Sequence, residues 1–108
     1  MRSLPTAYLV DDEPLALKRL QRMLEASGRV RILGSATDPV DAEAAVNANP
    51  PDILFVDIEM PVLSGFDLLR RLRSQPLVIF TTAYSQYALQ AFEVHSIDYL
   101  LKPVEPAG

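Results

Sequence analysis

A chain of 108 residues, 49% of them hydrophobic, has the length of one folded domain and enough apolar side chains for a core. Its formal net charge of −4 argues against nucleic acid or anionic lipid as a ligand of this segment. The absence of cysteine excludes disulfides and thiolate metal sites and fits a reducing compartment such as the cytoplasm. Since no long apolar stretch occurs, we expect neither a signal peptide nor a membrane span.

Short apolar runs alternate with segments of helical period along the chain, which is the pattern of βα units in a parallel sheet. We expect strands at residues 7–10, 30–34, 53–56, 77–80 and 98–101, and helices from Pro14 to just before Gly28, from Pro39 to about Ala48, from Ser64-Gly65 onward and over residues 85–93. With right-handed crossovers this gives a flavodoxin-like, doubly wound five-stranded α/β fold with helices on both faces. The sequence does not determine which strands are neighbours, but 2-1-3-4-5 is a common order for such sheets.

The helix boundaries carry recognisable signals. Asp38 before Pro39 is typical of an N-cap followed by a first helical turn, and Gly28 is typical of a helix end. In the first helix we expect a buried stripe formed by Ala16, Leu20, Met23 and Leu24, and an exposed side formed by Lys18, Arg19, Arg22 and Glu25.

Polar side chains follow four of the five predicted strands. Asp11 and Asp12 follow the first strand, Asp57 the third, Thr82 the fourth and Lys102 the fifth. The carboxyl ends of parallel strands share one edge of a sheet, where ligands of such folds bind. Clustered carboxylates repel unless a cation bridges them, and oxygen-only ligands suit Mg²⁺. Each residue alone fits an ordinary turn or N-cap, so it is their joint placement that favours a functional site, with Asp57 as a candidate nucleophile.

Four motifs resemble those of receiver domains from response regulators of two-component systems, and the resemblance covers essentially the whole chain. They are YLVDDEP at residues 8–14, ILFVDIEMP at residues 53–61 with Gly65 beyond it, Thr82-Ala83, and Lys102-Pro103. The resemblance implies that Asp57 accepts a phosphoryl group from the phosphohistidine of a sensor histidine kinase. It also implies a Mg²⁺ site formed by the Asp12 and Asp57 side chains and the Glu59 backbone carbonyl, with Asp11 assisting through water.

The same resemblance assigns roles near the last two strands. Lys102 and Thr82 would contact the phosphoryl oxygens, and the Lys102-Pro103 peptide would be cis. Tyr99 would be a switch residue that moves inward with Thr82 on phosphorylation, which makes the surface of the fourth helix and fifth strand a candidate homodimer interface. The domain would act in signalling in the cytoplasm rather than as an enzyme.

A narrower resemblance concerns residues 82–93 and 97–104, which are similar to receivers of LytTR-type (LytR/AlgR-like) transcriptional regulators. In that family a DNA-binding domain follows the receiver, so DNA binding would belong to a longer protein and not to this segment. Receivers also close with a helix after the Lys-Pro turn. Since only residues 104–108 remain here, we expect residues 1–108 to be a receiver domain whose final helix is missing or truncated.

Two other functions remain open. One is a Mg²⁺-dependent phosphohydrolase that uses Asp57 as nucleophile and Glu59 as general acid, although such enzymes normally need a longer chain with a cover over the substrate. The other is a receiver-like interaction module that works without phosphorylation. Turnover of a generic phosphate ester would favour the hydrolase, whereas labelling by a single equivalent would favour the switch.

Overall fold

A five-stranded parallel sheet forms the centre of the computed structural model, which describes residues 3–82 and the backbone of residues 98–101. The elements in chain order are β1 (Thr6–Val10), α1 (Pro14–Ser27), β2 (Arg31–Ala36), α2 (Pro39–Ala48), β3 (Ile53–Asp57), α3 (Gly65–Arg71), β4 (Leu77–Thr82) and β5 (Asp98–Leu101). The strand order is β2-β1-β3-β4-β5 and every pair is parallel. The predicted doubly wound fold and its strand order are confirmed.

Helices cover both faces of the sheet because alternate residues of each strand point to opposite sides. On one face the buried cluster consists of Ala7, Leu9, Leu17, Leu20 and Phe55, and so joins β1 and β3 to α1. On the other face it consists of Tyr8, Val10, Ala42, Val46, Leu54, Val56, Ile58, Met60, Phe66, Leu68, Val78 and Phe80, and so joins β1, β3 and β4 to α2 and α3. The central strands are therefore fixed from both sides.

The predicted helix signals are present at α1 and α2. Pro14 is the first residue of α1, and Gly28 ends the helix with a left-handed φ of 66°. The Asp38 carboxylate accepts a hydrogen bond of 2.8 Å from the Val40 N–H at the start of α2. These contacts satisfy backbone groups that a helix end leaves unpaired.

Four strands differ in their bounds from the prediction, and β1 differs least, since it begins at Thr6 instead of residue 7. β2 covers Arg31–Ala36 instead of residues 30–34, since a register shift opposite Ala7 and Tyr8 carries the pairing on to Ala36. β3 includes Asp57, and β4 continues to Thr82, because Asp57 pairs with Thr81 across the two strands. The candidate site residues therefore belong partly to the strands and not to the loops that follow.

Gly34 of β2 lies against the ring of Tyr8, where a Cβ atom would come within 3.1 Å of the ring. Burial, together with the negative charge of Asp41, raises the pKa of the Tyr8 hydroxyl above its ordinary value.

The predicted helix at residues 85–93 and the predicted truncation of the last helix lie outside the described residues. Within the described part of the chain, none of the helices has the length and apolar character needed to cross a bilayer.

Candidate metal centre

Two neighbouring strands bring the candidate acidic residues together. Val10, the last residue of β1, pairs with Val56 of β3, so that Asp11 and Asp57 are the next residues on adjacent parallel strands. The Asp11 N–H donates a hydrogen bond of 3.2 Å to the Ala36 carbonyl at the end of β2. This bond holds the chain in line with the sheet for one residue beyond β1.

The carboxylates of Asp11, Asp12 and Asp57 form one compact cluster. Each residue offers a carboxylate oxygen, and the three oxygens lie within 4.8 Å of one another. Asp11 and Asp57 are buried, with 3% and 4% of their surface exposed, and Asp12 is half-buried. The convergence of these three side chains, which the strand-end pattern predicts, is therefore present in the structure.

This arrangement favours a bound cation. Two unit negative charges about 4.8 Å apart repel by roughly 3 kcal/mol at an effective dielectric constant of 20, and the cluster contains three such pairs. The Glu13 N–H donates a hydrogen bond of 2.9 Å to Asp11 Oδ1, which orients that carboxylate but adds only a partial positive charge. A set of carboxylate oxygens, with no nitrogen or sulfur ligand, fits a hard divalent cation such as Mg²⁺.

The loop after β3 is packed tightly beneath the cluster. The Ile58 N–H donates to the Thr81 carbonyl at 3.0 Å, and the Ile58 carbonyl accepts from the Gly65 N–H at 2.8 Å. A Cβ atom on Gly65 would lie 2.5 Å from the Asp57 carbonyl oxygen, so only glycine fits the start of α3 at this distance. Glu59 lies in this loop with its side chain exposed.

We expect Gly65→Ala to lower the free energy of unfolding by about 2 kcal/mol or more, because the new methyl group collides with backbone that cannot move independently of Asp57. Urea unfolding with and without Mg²⁺ measures this loss and any change in metal dependence. Gly34→Ala is the matched control, since its methyl group meets only the Tyr8 ring, at 3.1 Å, away from the cluster. Equal metal dependence in both variants would contradict the role assigned to Gly65 in shaping the site.

Val62 occupies a strained turn in the same loop. The Leu63 N–H donates to the Pro61 carbonyl at 2.8 Å, which makes Val62 the centre of a three-residue turn with φ of 72°. The side chain is 96% exposed, so packing does not compensate for a backbone conformation that β-branched residues rarely adopt. Such strain concentrates at functional sites.

Val62→Asn should raise the free energy of unfolding by about 1 kcal/mol, since asparagine tolerates positive φ and no buried apolar surface is lost. Val40→Asn provides the control, as Val40 is half exposed on α2 at an ordinary helical φ. Urea titration of both variants tests the difference. If Val62→Asn were no more stable than wild type, the turn would not be strained.

The remaining candidate residues lie on β4, on β5 or beyond. Thr82 is the last residue of β4, is fully buried, and is paired with Leu101 of β5. In the same ladder the backbone of Tyr99 pairs with Phe80. Lys102 and Pro103 lie outside the described residues, as does the orientation of the Tyr99 side chain.

Two features of this site are not predicted by the sequence. The Met60-Pro61 and Gly65 spacing marks the loop, but the sequence does not show that Gly65 approaches the Asp57 backbone. No residue-type signal marks the turn at Val62, because valine is among the residues least expected at positive φ. The neighbouring Ser64 is an N-cap, and its hydroxyl accepts a hydrogen bond of 3.1 Å from the Asp67 N–H.

A doubly wound parallel sheet with a carboxylate cluster at the carboxyl ends of its central strands is an α/β domain of the kind that binds ligands at this edge of the sheet. The chain belongs to the response regulator receiver domain family, whose sequence profile matches residues 7–108. Receiver domains are signalling domains that bind Mg²⁺ through acidic residues, and the cluster provides such residues here.

Curated relatives agree with this assignment. The chain is 45% identical over 102 residues to an uncharacterized response regulatory protein of Vibrio cholerae, covering 93% of this chain and 43% of that protein. It is 42% identical over 101 residues to the transcriptional regulatory protein BtsR of Escherichia coli K12, covering 92% of this chain and 42% of that protein. The chain thus spans less than half the length of these relatives.

Solved structures show the same fold. The response regulatory domain of mrkE from Klebsiella pneumoniae is 32% identical with a TM-score of 0.83, covering 93% of this chain and 84% of that chain. The receiver domain of the response regulator NarL from Mycobacterium tuberculosis is 26% identical with a TM-score of 0.85, covering 96% of this chain and 88% of that chain.

Proposed function

We propose that this receiver domain is phosphorylated on Asp57 by a sensor histidine kinase in a Mg²⁺-dependent reaction. The observation that carries the proposal is the convergence of the Asp11, Asp12 and Asp57 carboxylates within 4.8 Å in a chain of the receiver family. A carboxylate is a competent nucleophile toward phosphorus, and phosphoryl transfer depends mainly on alignment and charge neutralisation.

The cation would be held by the Asp12 and Asp57 side chains and the Glu59 backbone carbonyl, with Asp11 acting through a water molecule. When bound, Mg²⁺ neutralises charge on the phosphoryl oxygens and draws them toward the nucleophile. The burial of Asp11 and Asp57 close to Asp12 supports this assignment, because a cation reduces the repulsion between carboxylates that are held close together away from water. The half-buried Asp12 leaves the cluster accessible from solvent.

In the transfer step a carboxylate oxygen of Asp57 forms a bond to phosphorus while the bond between phosphorus and the histidine nitrogen of the kinase breaks. The electron pair of that bond stays on the imidazole. The aspartyl phosphate is later hydrolysed, which returns Asp57 to a carboxylate and releases inorganic phosphate.

Thr82 and Lys102 would contact the remaining phosphoryl oxygens. Thr82 is suited to this role because it is buried at the carboxyl end of β4, directly after Thr81, the register neighbour of Asp57. Lys102 would supply an ammonium group, with a cis peptide to Pro103. Tyr99 would move inward with Thr82 and change the surface around residues 85–93 and β5, through which a homodimer would form.

The charge added at Asp57 would bias an existing equilibrium between inactive and active shapes. Inverting a population ratio of 1:99 takes about 5.5 kcal/mol, which a few charge-assisted hydrogen bonds to phosphate approach. The domain would belong to a longer cytoplasmic protein, in which a LytTR-type DNA-binding domain would regulate transcription in response to phosphorylation. The name of the relative BtsR, a transcriptional regulatory protein, and the resemblance of residues 82–93 and 97–104 support this part of the proposal.

Mg²⁺ and the substitution Asp12→Asn should each raise stability, because each reduces the repulsion within the carboxylate cluster. Without metal, we expect the variant to be about 1 to 3 kcal/mol more stable than wild type, because one of the repelling charges is gone. With metal, wild type should gain stability with the logarithm of Mg²⁺ concentration, reaching about 2.7 kcal/mol at one hundred times the dissociation constant. The variant should gain much less.

Thermal unfolding across a Mg²⁺ titration measures both effects. Asp41→Asn is the control, since Asp41 is exposed on α2 and lies outside the carboxylate cluster. If the unfolding temperature of wild type did not change with Mg²⁺ concentration, the proposed metal site would be contradicted.

Incubation with acetyl phosphate and Mg²⁺ should add one phosphoryl group, detected by intact mass. Asp57→Asn should remain unlabelled because the nucleophile is gone, and a chelator should abolish labelling of wild type. Asp67→Asn, which changes a half-buried acid on α3 outside the carboxylate cluster, should label like wild type.

Each alternative gives a different result in this assay. Labelling that survives in Asp57→Asn would place the acceptor elsewhere. Repeated turnover of a generic phosphate ester would favour the phosphohydrolase, and Mg²⁺ binding without labelling would favour the phosphorylation-independent module.

A further inference from the structure

A groove lies between α1 and β2, which is an edge strand of the described sheet. It has a volume of about 350 Å³. Leu17 forms its apolar floor, Lys18 and Arg22 line it from α1, and Ser35 and Thr37 line it from the β2 side. Two cations and two hydroxyl groups thus face one shallow space.

The two cations have no acidic partner in the described part of the chain. Its ion pairs are Arg70 with Asp67 and Arg71 with Glu43, and neither involves Lys18 or Arg22. Both side chains are exposed, and their spacing of four residues places them on the same face of α1. Charges held side by side without partners produce a positive potential along the groove.

The positive charge is local to this part of the molecule. Residues 18–31 contain five of the ten lysine and arginine residues, and Glu25 is their only acid, although the whole chain has a net charge of −4. Negative groups flank the groove: Glu25 is among its lining residues, and Asp11 and Asp12 of the carboxylate cluster precede Pro14, which also lines it. A long polyanion such as DNA would extend past both groups and be repelled by them, whereas a short segment can place its carboxylates between them, beside Lys18 and Arg22.

The shape of the groove suits an extended peptide. From Pro14 to Glu25 the lining of α1 spans about 16 Å at 1.5 Å per residue, which matches about five residues of extended chain. β2 is an edge strand in the described sheet, and its exposed or half-exposed residues leave backbone groups accessible for pairing. Ser35 and Thr37 add hydrogen-bonding groups beside that edge.

We propose that this groove binds a short, extended acidic segment of a protein partner. The segment lies along β2, and its carboxylates pair with Lys18 and Arg22 while its apolar side chains contact Leu17. Glu25 sets the limit of the acidic stretch, because a carboxylate placed beside it is repelled. The interaction involves no phosphoryl chemistry and does not depend on Asp57.

A fluorescein-labelled peptide of alternating glutamate and valine is the probe, and fluorescence anisotropy is the measurement. Wild type should bind it saturably, and K18Q/R22Q should weaken binding about tenfold, since two charge pairs are lost. R70Q/R71Q is the matched control with the same change in net charge, and it should bind within about twofold of wild type. Circular dichroism verifies that each variant is folded.

A variant that should bind the peptide more tightly provides a second test, which does not depend on the weaker binding of K18Q/R22Q. Glu25→Gln should tighten binding about two- to threefold by removing the repelling carboxylate. Raising the salt concentration should weaken wild-type binding, because exposed charges are screened within about 10 Å at 0.1 M. Asp57→Asn should still bind the peptide, at most about twofold more tightly because one charge of the nearby cluster is removed, so the groove and the phosphoacceptor are tested separately.

The proposal would be overturned if wild type did not bind the peptide saturably, or if it bound a peptide with glutamine in place of glutamate equally well. It would also be overturned if K18Q/R22Q and R70Q/R71Q lost the same amount of affinity, or if Glu25→Gln did not increase the affinity. Tighter binding of a short DNA duplex that is lost in K18Q/R22Q would also overturn it and assign the groove to nucleic acid.

Discussion

Mutual repulsion among three carboxylates is the constraint on which the rest of the structure depends. Asp11 and Asp57 are buried and, with Asp12, lie within 4.8 Å of one another, so the fold must hold negative charges where they oppose folding. The parallel ladders of β1 with β3 and of β3 with β4 impose this arrangement, and apolar clusters on both faces of the sheet stabilise it. Such a site gains stability when a cation enters, which links ligand binding to folding.

The same strands also limit how far the site can adjust. Asp57 is the last residue of β3, and the chain beyond it is held by hydrogen bonds from Ile58 to Thr81 and from Gly65 to Ile58. Gly65 lies so close to the Asp57 carbonyl that a shift in one displaces the other. The proposed phosphoryl group on Asp57 would therefore act on β4 and on the start of α3 through these backbone contacts, and packed elements of this kind move between discrete arrangements rather than deforming continuously.

Local chemistry explains which parts of the structure the sequence could predict. The N-cap Asp38, the helix end at Gly28 and the acids at the strand ends follow from short-range rules, and each is present. The buried face of α1 matches the expected stripe only in part. Leu20 is buried as expected, but the other buried residue is Leu17 and not its neighbour Ala16, with which the expected stripe begins. The bounds of β2 and the strain at Val62 depend on register and loop closure between distant segments, which periodicity does not encode.

The helix α1 separates two charged surfaces that would otherwise compete. It begins at Pro14, two residues after Asp12 of the carboxylate cluster, and its exposed face carries Lys18 and Arg22, which form no ion pair within the described residues. Leu17 and Leu20 anchor the helix to β1 and β3, so the core fixes the backbone positions of these cations relative to the carboxylates. A rigid helix thus presents carboxylates at the strand ends and cations along its β2 side as two separate surfaces. The two proposals, a cation at the strand ends and an acidic segment in the groove, both require this separation, because a flexible segment at this position would allow the opposite charges to neutralise each other.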